Sequence, residues 1–271
     1  MMPRRGAEIR GSLWLGLMMS WLLATAAMAQ SPFDGKWKLD PEESSPSTAH
    51  YDYLLKDGVY QCSTCDSPFK IPADGQDHKI TGDDCIETVG VKVIDDHTTE
   101  EIDKRNGRTV GTLRMTVSSN GDSAIEEWTE SCNANGDVVS GKDVMARIAK
   151  GPAGSHAISG SWKISKRLNR SENALVITLK LTPDTFSFSD PTNQKYTAKL
   201  DGTETAFEGD LSHTMVSVRR VDVNTIEETD RRDGKVVQVT RFAVAADGKD
   251  MTVAMEDKVK GTKSLWRMQK Q

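Results

Sequence analysis

The sequence predicts an all-β protein made of two tandem antiparallel up-and-down β-barrels of about nine or ten strands each. Three observations support this fold class. A long internal repeat covers most of the chain, and each copy is rich in β-branched runs separated by Asp-Gly or Asn-Gly steps. A stretch containing Gly, Pro and Ser lies between the copies.

The first thirty residues have the pattern of a secretory signal peptide. Arg4, Arg5 and Arg10 precede the apolar run LWLGLMMSWLLATAA, and small residues end at Ala29. We therefore predict a signal peptide over residues 1–29 and export to the periplasm or the extracellular space; an uncleaved membrane anchor is the alternative. Cleavage would change the net charge from −5 to −7, because it removes three basic residues and one acidic residue.

The repeat aligns residues 59–128 with residues 186–255 without a gap. A register held over that length indicates an internal duplication, which has to be recognised before the fold is predicted. The best-matched stretch places Thr98, Glu100, Glu101 and Asp103 on Thr225, Glu227, Glu228 and Asp230.

Each copy reads as a series of β-hairpins. Asp-Gly or Asn-Gly steps occur at 57–58, 74–75, 106–107, 120–121, 135–136, 201–202, 233–234 and 247–248. This dipeptide favours the positive φ angles of a type I′ turn, whose twist suits an antiparallel hairpin. A meander of that length tends to close, because closure removes exposed strand edges. The alternative is one larger sheet or barrel shared by both copies.

The ends of the copies set the predicted domain boundaries. FDGKW (33–37) matches ISGSW (158–162), and GKDVMARIAK (141–150) matches GTKSLWRMQK (261–270). The stretch AKGPAGSHA between them is of linker type. We therefore predict one barrel over 30–148, a linker over 149–157 and a second barrel over 158–271.

These motifs resemble those of the lipocalin and fatty-acid-binding protein superfamily, and more particularly of uncharacterised exported bacterial proteins with duplicated lipocalin-like modules. The chain has a first-strand Gly-x-Trp twice and an Arg on each closing strand. The resemblance implies that such a Trp packs beneath such an Arg and closes the barrel floor. The implied barrel-closing residues are Trp37, Arg147, Trp162 and Arg267.

The chain departs from the fatty-acid-binding branch in two ways. Only NRSEN (169–173) separates the first strands of copy two, which leaves no room for a helical lid. The Arg-x-Tyr pair that holds a carboxylate in that branch is missing, since the closing strands read Arg-Ile-Ala and Arg-Met-Gln. We therefore expect no fatty acid held in that manner.

All four cysteines lie in copy one, at Cys62, Cys65, Cys85 and Cys132. An even number in an exported protein indicates disulfides, and four cysteines allow three pairings. The alternatives are a redox Cys-x-x-Cys pair or a metal site. Copy two has no cysteine, so it folds without these constraints.

Four residues are weak candidates for contact with a ligand: Arg114, Arg241, Glu101 and Glu228. Neighbours on a strand point to opposite faces, so only one Glu of each Glu-Glu pair can face the interior. A buried carboxylate there would have a raised pKa or a cationic ligand; the alternative is that these are solvated strand and turn charges. An inward Arg would hold an anion, but alternation with Leu113, Met115 and Val117 favours an outward one.

The remaining chemistry points to binding rather than catalysis. No nucleophile elbow, phosphate loop or zinc-protease motif is present, and the five histidines lack metal-ligand spacing. We predict no catalytic residue, no cofactor and no metal site. The acid excess argues against nucleic acid, and no later run is long enough to span a membrane. The sequence identifies no protein partner and no oligomeric state.

Three functions are therefore open. The first hypothesis is a protein that binds a small apolar or amphipathic ligand, because small barrels commonly enclose one. The second is a structural or protein-interaction role with filled interiors. The third is a thiol-redox or metal-binding protein centred on the cysteine-bearing copy, which is also the copy that we expect to keep a site if only one does.

Overall fold

The computed structural model describes residues 31–45 and 47–271, and the predicted signal peptide lies outside them. Twenty strands form the structure, and the only helix among the described residues is a 3₁₀ turn over Glu172–Ala174. The strands of the first half are β1 (Gly35–Ser45), β2 (Tyr51–Lys56), β3 (Val59–Cys62), β4 (Phe69–Pro72), β5 (His78–Lys79), β6 (Thr88–Asp95), β7 (Thr98–Arg105), β8 (Arg108–Val117), β9 (Ser123–Glu130) and β10 (Val139–Lys150). Those of the second half are β11 (Gly160–Arg170), β12 (Val176–Leu181), β13 (Thr185–Ser189), β14 (Lys195–Lys199), β15 (Thr205–Ala206), β16 (Met215–Arg220), β17 (Thr225–Arg232), β18 (Lys235–Val244), β19 (Asp250–Asp257) and β20 (Lys263–Lys270).

The predicted fold class is confirmed, with two antiparallel sheets of ten strands each. Barrel one contains β2–β11, in the order β4-β3-β2-β11-β10-β9-β8-β7-β6-β5. Barrel two contains β1 and β12–β20, in the order β14-β13-β12-β1-β20-β19-β18-β17-β16-β15. In each sheet the segment that connects the two edge strands also bonds to the next strand of the sheet: Gly75, between β4 and β5, donates its N–H to Val91 O of β6 (2.8 Å), and Gly202, between β14 and β15, donates its N–H to Val218 O of β16 (3.1 Å). The two sheets are thus nearly closed barrels.

The barrels do not follow the predicted domain boundaries, because the copies exchange their first strands. Strand β1 of copy one pairs with β12 and β20 of copy two, and β11 of copy two pairs with β2 and β10 of copy one. The predicted linker, residues 149–157, in fact comprises the last two residues of β10 and most of the hairpin loop that turns β10 back into β11. Consecutive strands usually lie side by side, so β11 takes the place next to β10 and β1 pairs with β20.

The turns use glycine in two ways. At 57–58, 106–107 and 233–234 both residues have positive φ, as a type I′ turn requires. At the other five predicted steps only the glycine does, so those connections are hairpins of other geometry. The Gly-x-Trp glycines, Gly35 and Gly160, have φ angles of 129° and 133°, a conformation that disfavours a side chain.

The two Gly-x-Trp tryptophans occupy equivalent places in the exchanged strands. Trp37 and Trp162 are both 0% exposed, and their indole N–H groups donate to Phe33 O (2.7 Å) and Ile158 O (2.8 Å). Because of the exchange, Trp37 belongs to the core of barrel two and Trp162 to the core of barrel one. Each copy thus contributes its tryptophan to the other copy's barrel.

The cations beside these tryptophans differ in part from the prediction. The Arg147 guanidinium lies 3.9 Å from the ring centroid of Trp162, and it donates to the carbonyls of Gly121, Ser159 (2.7 Å) and Ala157 (2.6 Å). Lys270, rather than Arg267, lies over Trp37, at 5.1 Å. The strand register explains this, since Trp162 pairs with Arg147 whereas Trp37 pairs with Lys270.

Arg267 is exposed and donates to Thr252 Oγ1 at 3.1 Å. The predicted equivalence of Arg147 and Arg267 was therefore wrong by three residues. The sequence alignment of the closing strands matched Arg147 with Arg267. In the structure Met145 pairs with Ala124 and Met268 pairs with Met251, and Ala124 and Met251 are equivalent positions of the repeat. Met145 is therefore equivalent to Met268, and Arg147 to Lys270.

Candidate functional site

Each barrel holds one Glu-x-Asp pair on equivalent strands. Glu101 and Asp103 lie on β7, and Glu228 and Asp230 lie on β17. Residues two apart share a face of a strand, and this face contains the buried Thr99 in barrel one. The pairs therefore point into the barrels.

The other Glu of each repeat points outwards and binds arginine. Glu100 accepts a hydrogen bond from Arg114, and Glu227 forms ion pairs with Arg241 (2.7 Å) and Arg219 (2.6 Å). Arg114 and Arg241 are exposed, as the apolar alternation of their strands predicted. Of the four weak candidates for ligand contact, the structure thus places the two glutamates inside and the two arginines outside.

In barrel two the acid pair is held by polar neighbours on two other strands, β14 and β18. The Tyr196 hydroxyl donates to Glu228 Oε2, and Gln238 Nε2 donates to Asp230 Oδ2 (3.3 Å) and to Thr240 Oγ1 (3.1 Å). Glu228 and Asp230 also hydrogen-bond to each other. Asp230 Oδ1 is buried and has no hydrogen-bond partner.

The electrostatics give this pair one shared proton near neutral pH. Burial, with added repulsion from Asp230, raises the pKa of Glu228 well above its usual value. Burial also raises the pKa of Asp230, to about 6, although the hydrogen bond from Glu228 and the charge of Arg232 oppose this. Glu228 is therefore the protonated donor and Asp230 the ionised acceptor at pH 7.

The acid pair of barrel two borders a cavity of about 520 Å³. Most of its walls are aromatic or aliphatic, and the polar groups gather at the pair and at the rim. The principal apolar residues are Val176, Ile177, Phe188, Phe207, Phe242, Val253, Met255, Trp266 and Met268. Its volume is large enough to accommodate a small molecule.

Barrel one has the same pair in a more polar interior. Glu101 is within hydrogen-bonding reach of Tyr60, and burial together with the charge of Asp103 raises its pKa to about 8. Burial and the charge of Asp83 raise the pKa of Asp103 to about 6. Asp103 Oδ1, like its counterpart Asp230 Oδ1, is buried without a partner.

Further charges line barrel one where barrel two is apolar. Asp143 is buried and accepts from Arg170 at 2.7 Å and from the indole N–H of Trp128 at 3.0 Å. Glu126 is also buried, and burial with repulsion from Asp143 raises its pKa to about 7. The position of Glu126 is taken by Val253 in the aligned repeat. The space beside the Tyr51 and Tyr53 rings measures about 400 Å³ and is lined by both acids of the pair.

The cysteines form two disulfides, Cys62–Cys65 and Cys85–Cys132, as the even count predicted. The described chain has no free cysteine. Cys132 lines both the cavity of barrel two and a space of about 580 Å³ beside the acid pair of barrel one. The second bridge therefore stabilises the loop at which the two interiors approach each other.

Sequence reasoning missed the aspartates and the tyrosines of these sites. Asp103 and Asp230 carry a readable signal, because each follows an inward Glu by two residues and recurs in the repeat. Tyr60 and Tyr196 carry none, since their strands are not sequence neighbours of the strands that bear the acids and meet them only across the closed barrel.

Comparison with protein-family models gives no match, and comparison with curated proteins gives none either. Within residues 31–45 and 47–271, no helix combines the length and the apolar character that crossing a membrane requires. In the same part of the chain, no cluster of three His, Cys, Asp or Glu residues has a geometry suited to a metal ion.

Proposed function

We propose that this protein is an exported, lipocalin-like binding protein that holds a small apolar or amphipathic ligand inside barrel two. The observation that carries the proposal is the cavity of about 520 Å³. Ligand pockets typically measure about 300–1,000 Å³ and have mainly apolar walls with a few placed polar groups. The lining of the cavity, which is mainly apolar around the acid pair of Glu228 and Asp230, has that composition.

The placement in barrel two differs from the preference for the cysteine-bearing copy that the sequence suggested. Barrel one buries Glu126 and the ion pair of Asp143 with Arg170, and burying an apolar molecule against charged groups is unfavourable. Barrel two has Val253 and Trp266 along the corresponding wall. An apolar ligand therefore gains more from barrel two.

The disulfides indicate a non-reducing compartment, which supports the proposed export. All four cysteines are in disulfides, so no free thiol supports the redox hypothesis or the metal hypothesis. A cavity of this size also favours a binding role over a barrel with a filled interior.

The test is titration of the purified protein with N-phenyl-1-naphthylamine, a neutral apolar fluorescent probe. We expect saturable binding at one site, with energy transfer from Trp266, which lines the cavity. Val253→Phe, which fills the interior, is expected to weaken binding by about tenfold or more, because overpacking leaves no room for the probe.

The matched control is Ala254→Phe, the next residue on the same strand, which lines the outer face of barrel two. It introduces the same side chain on the outer face and should leave the affinity unchanged. Circular dichroism verifies that both variants are folded. Absence of saturable binding to the wild type, or an equal loss in both variants, would overturn the proposal.

A further inference from the structure

We infer that the outer face of barrel two carries a binding site of its own for a soluble amphipathic oxyanion, a molecule with a sulfate- or phosphate-like head group and an apolar tail. The head group accepts hydrogen bonds from Arg219 and Arg241, and the tail lies on Ala254 and Leu265. This site is separate from the interior cavity, so the inference goes beyond the proposed function. Four observations support it.

The first observation is a row of side chains that changes from charged to apolar across the outer face. Residues that pair directly across an antiparallel sheet have their side chains on the same face. The strands from β16 to β20 place five such residues in one row: Arg219, Glu227, Arg241, Ala254 and Leu265. Because neighbouring strands lie about 4.8 Å apart, Leu265 lies about 10 Å from Arg241 along the row. One end of the row therefore suits an anionic group and the other an apolar chain.

The second observation is the way in which the two arginines are held. Glu227 is 6% exposed, and its two carboxylate oxygens accept hydrogen bonds from Arg219 Nε (2.8 Å) and Arg241 Nε (2.7 Å). The side chains of the two arginines are nevertheless 65% and 60% exposed. A guanidinium group has five N–H donors in a fixed fork, so each arginine keeps donors for a second partner. One buried carboxylate thus orients two accessible cations, whose combined charge exceeds its own.

The third observation is that the equivalent row of barrel one lacks an apolar half. Its residues alternate in charge: Lys92, Glu100, Arg114, Glu127 and Lys142. Each carboxylate of that row forms an ion pair with a neighbouring cation. Ala254 and Leu265 of barrel two take the places of the ion pair between Glu127 and Lys142. The apolar half is therefore a change specific to barrel two and not a property of the shared fold.

The fourth observation is the volume and the charge of the groove that surrounds the row. The groove measures about 620 Å³, which is large enough to accommodate a small molecule. Four cationic and two acidic residues line it, which gives a net charge of +2. Glu256 forms an ion pair with Lys258 at 2.9 Å, so the excess positive charge comes from the two arginines and Lys263.

The charge of the whole protein favours a soluble ligand over a lipid head group in a membrane. The chain has a net charge of −5, and an extended anionic surface repels an acidic protein. A single small anion that enters the groove is exposed mainly to the local positive charge.

The test is isothermal titration calorimetry of the purified protein with octyl sulfate and octan-1-ol, which have the same chain length. N-phenyl-1-naphthylamine is present at a saturating concentration, so that the interior of barrel two is occupied. Hydrogen bonds to charged groups predict that octyl sulfate binds roughly tenfold or more tightly than octan-1-ol.

Two variants and a matched control locate the effect. Arg241→Gln should weaken the binding of octyl sulfate by about tenfold or more, because it removes a charged donor. Ala254→Glu places a carboxylate opposite Arg241, as in barrel one, and should weaken binding to a similar extent. Arg114→Gln, the equivalent change in barrel one, should leave the affinity unchanged. Circular dichroism verifies folding, and Arg219→Gln replaces Arg241→Gln if that variant is poorly folded.

Three results would each overturn the inference. The first is that octyl sulfate binds no more tightly than octan-1-ol, and the second is an equal loss of affinity in Arg241→Gln and Arg114→Gln. The third is that octyl sulfate displaces the neutral probe, which would place the anion in the interior.

Vesicles of phosphatidylglycerol test the other source of an anionic head group. We expect no cosedimentation of the protein with them; cosedimentation without binding of octyl sulfate would show a membrane site and overturn the inference. A failure of the neutral probe to bind would contradict the proposed function alone, because the outer groove can still be titrated.

Discussion

One substitution at Glu126 tests the conclusion that burial raises the pKa of carboxyl groups inside barrel one. The Glu126 side chain is 7% exposed, and its neighbours across the sheet are Met115 and Asp143. Burial, followed by repulsion from Asp143, raises its pKa from 4.5 to about 7, although Arg170 opposes the shift. Glu126→Gln keeps the size and the polarity of the side chain but removes the titration.

The sign and the size of the effect follow from linkage between protonation and folding. The folded protein holds the proton more tightly than the unfolded chain, so ionisation of Glu126 lowers stability as the pH rises. No cost arises below about pH 4.5; the cost grows between about pH 4.5 and 7 and is complete above. One pKa unit corresponds to 1.36 kcal/mol, so the full cost is about 3 kcal/mol.

The assay is urea unfolding followed by tryptophan fluorescence, for wild type and Glu126→Gln, at several pH values from 4.5 to 8.5. The unfolding free energy of the variant minus that of the wild type should rise by about 3 kcal/mol between pH 4.5 and pH 8.5. The other buried carboxyl groups titrate in both proteins, so their contributions cancel in the difference.

The matched control is Glu127→Gln, one residue further along β9. Glu127 is exposed and forms an ion pair with Lys142 at 2.8 Å, which lowers its pKa. Its removal should cost little and, where it depends on pH, should act in the opposite direction. A gap between wild type and Glu126→Gln that stays constant over the pH range would refute the reasoning about burial.

Three further predictions test the architecture. Replacing Cys85 and Cys132 by serine should cost about 4 kcal/mol in urea unfolding, because the bridge joins residues 47 apart. Arg147→Ala should cost about 2–4 kcal/mol, since it removes a cation–π contact and three hydrogen bonds, whereas Arg267→Ala should cost about 0.5 kcal/mol or less. A protease site inserted after Ala153 allows the chain to be cut between the two copies. The two fragments should co-elute in size-exclusion chromatography, because β1 of the first fragment pairs with β20 of the second and β11 of the second pairs with β10 of the first. Separation of the fragments under native conditions would contradict the strand exchange.

Local patterns of the sequence predicted the strands and their faces. Strand alternation placed Met115 and Phe242 inside and the arginines of the same strands outside, and the structure agrees. The same period of two identifies the Glu-x-Asp pairs once one Glu faces inwards. These features were predictable because they depend on residues that are neighbours in the chain.

The sequence by itself predicted an all-β duplication with about nine or ten strands in each copy and disulfides among the four cysteines of copy one, and its family resemblance implied a packed tryptophan at the start of each copy. Only the tertiary structure decided which copy completes which barrel, that Lys270 rather than Arg267 lies over Trp37, and that Tyr196 meets Glu228. The physical reason is that repeat copies present nearly the same strand edges, so pairing within a copy and pairing between copies satisfy the same backbone hydrogen bonds. The choice between them depends on how the loop at 151–159 directs β11 against β10, and local sequence patterns do not reveal this.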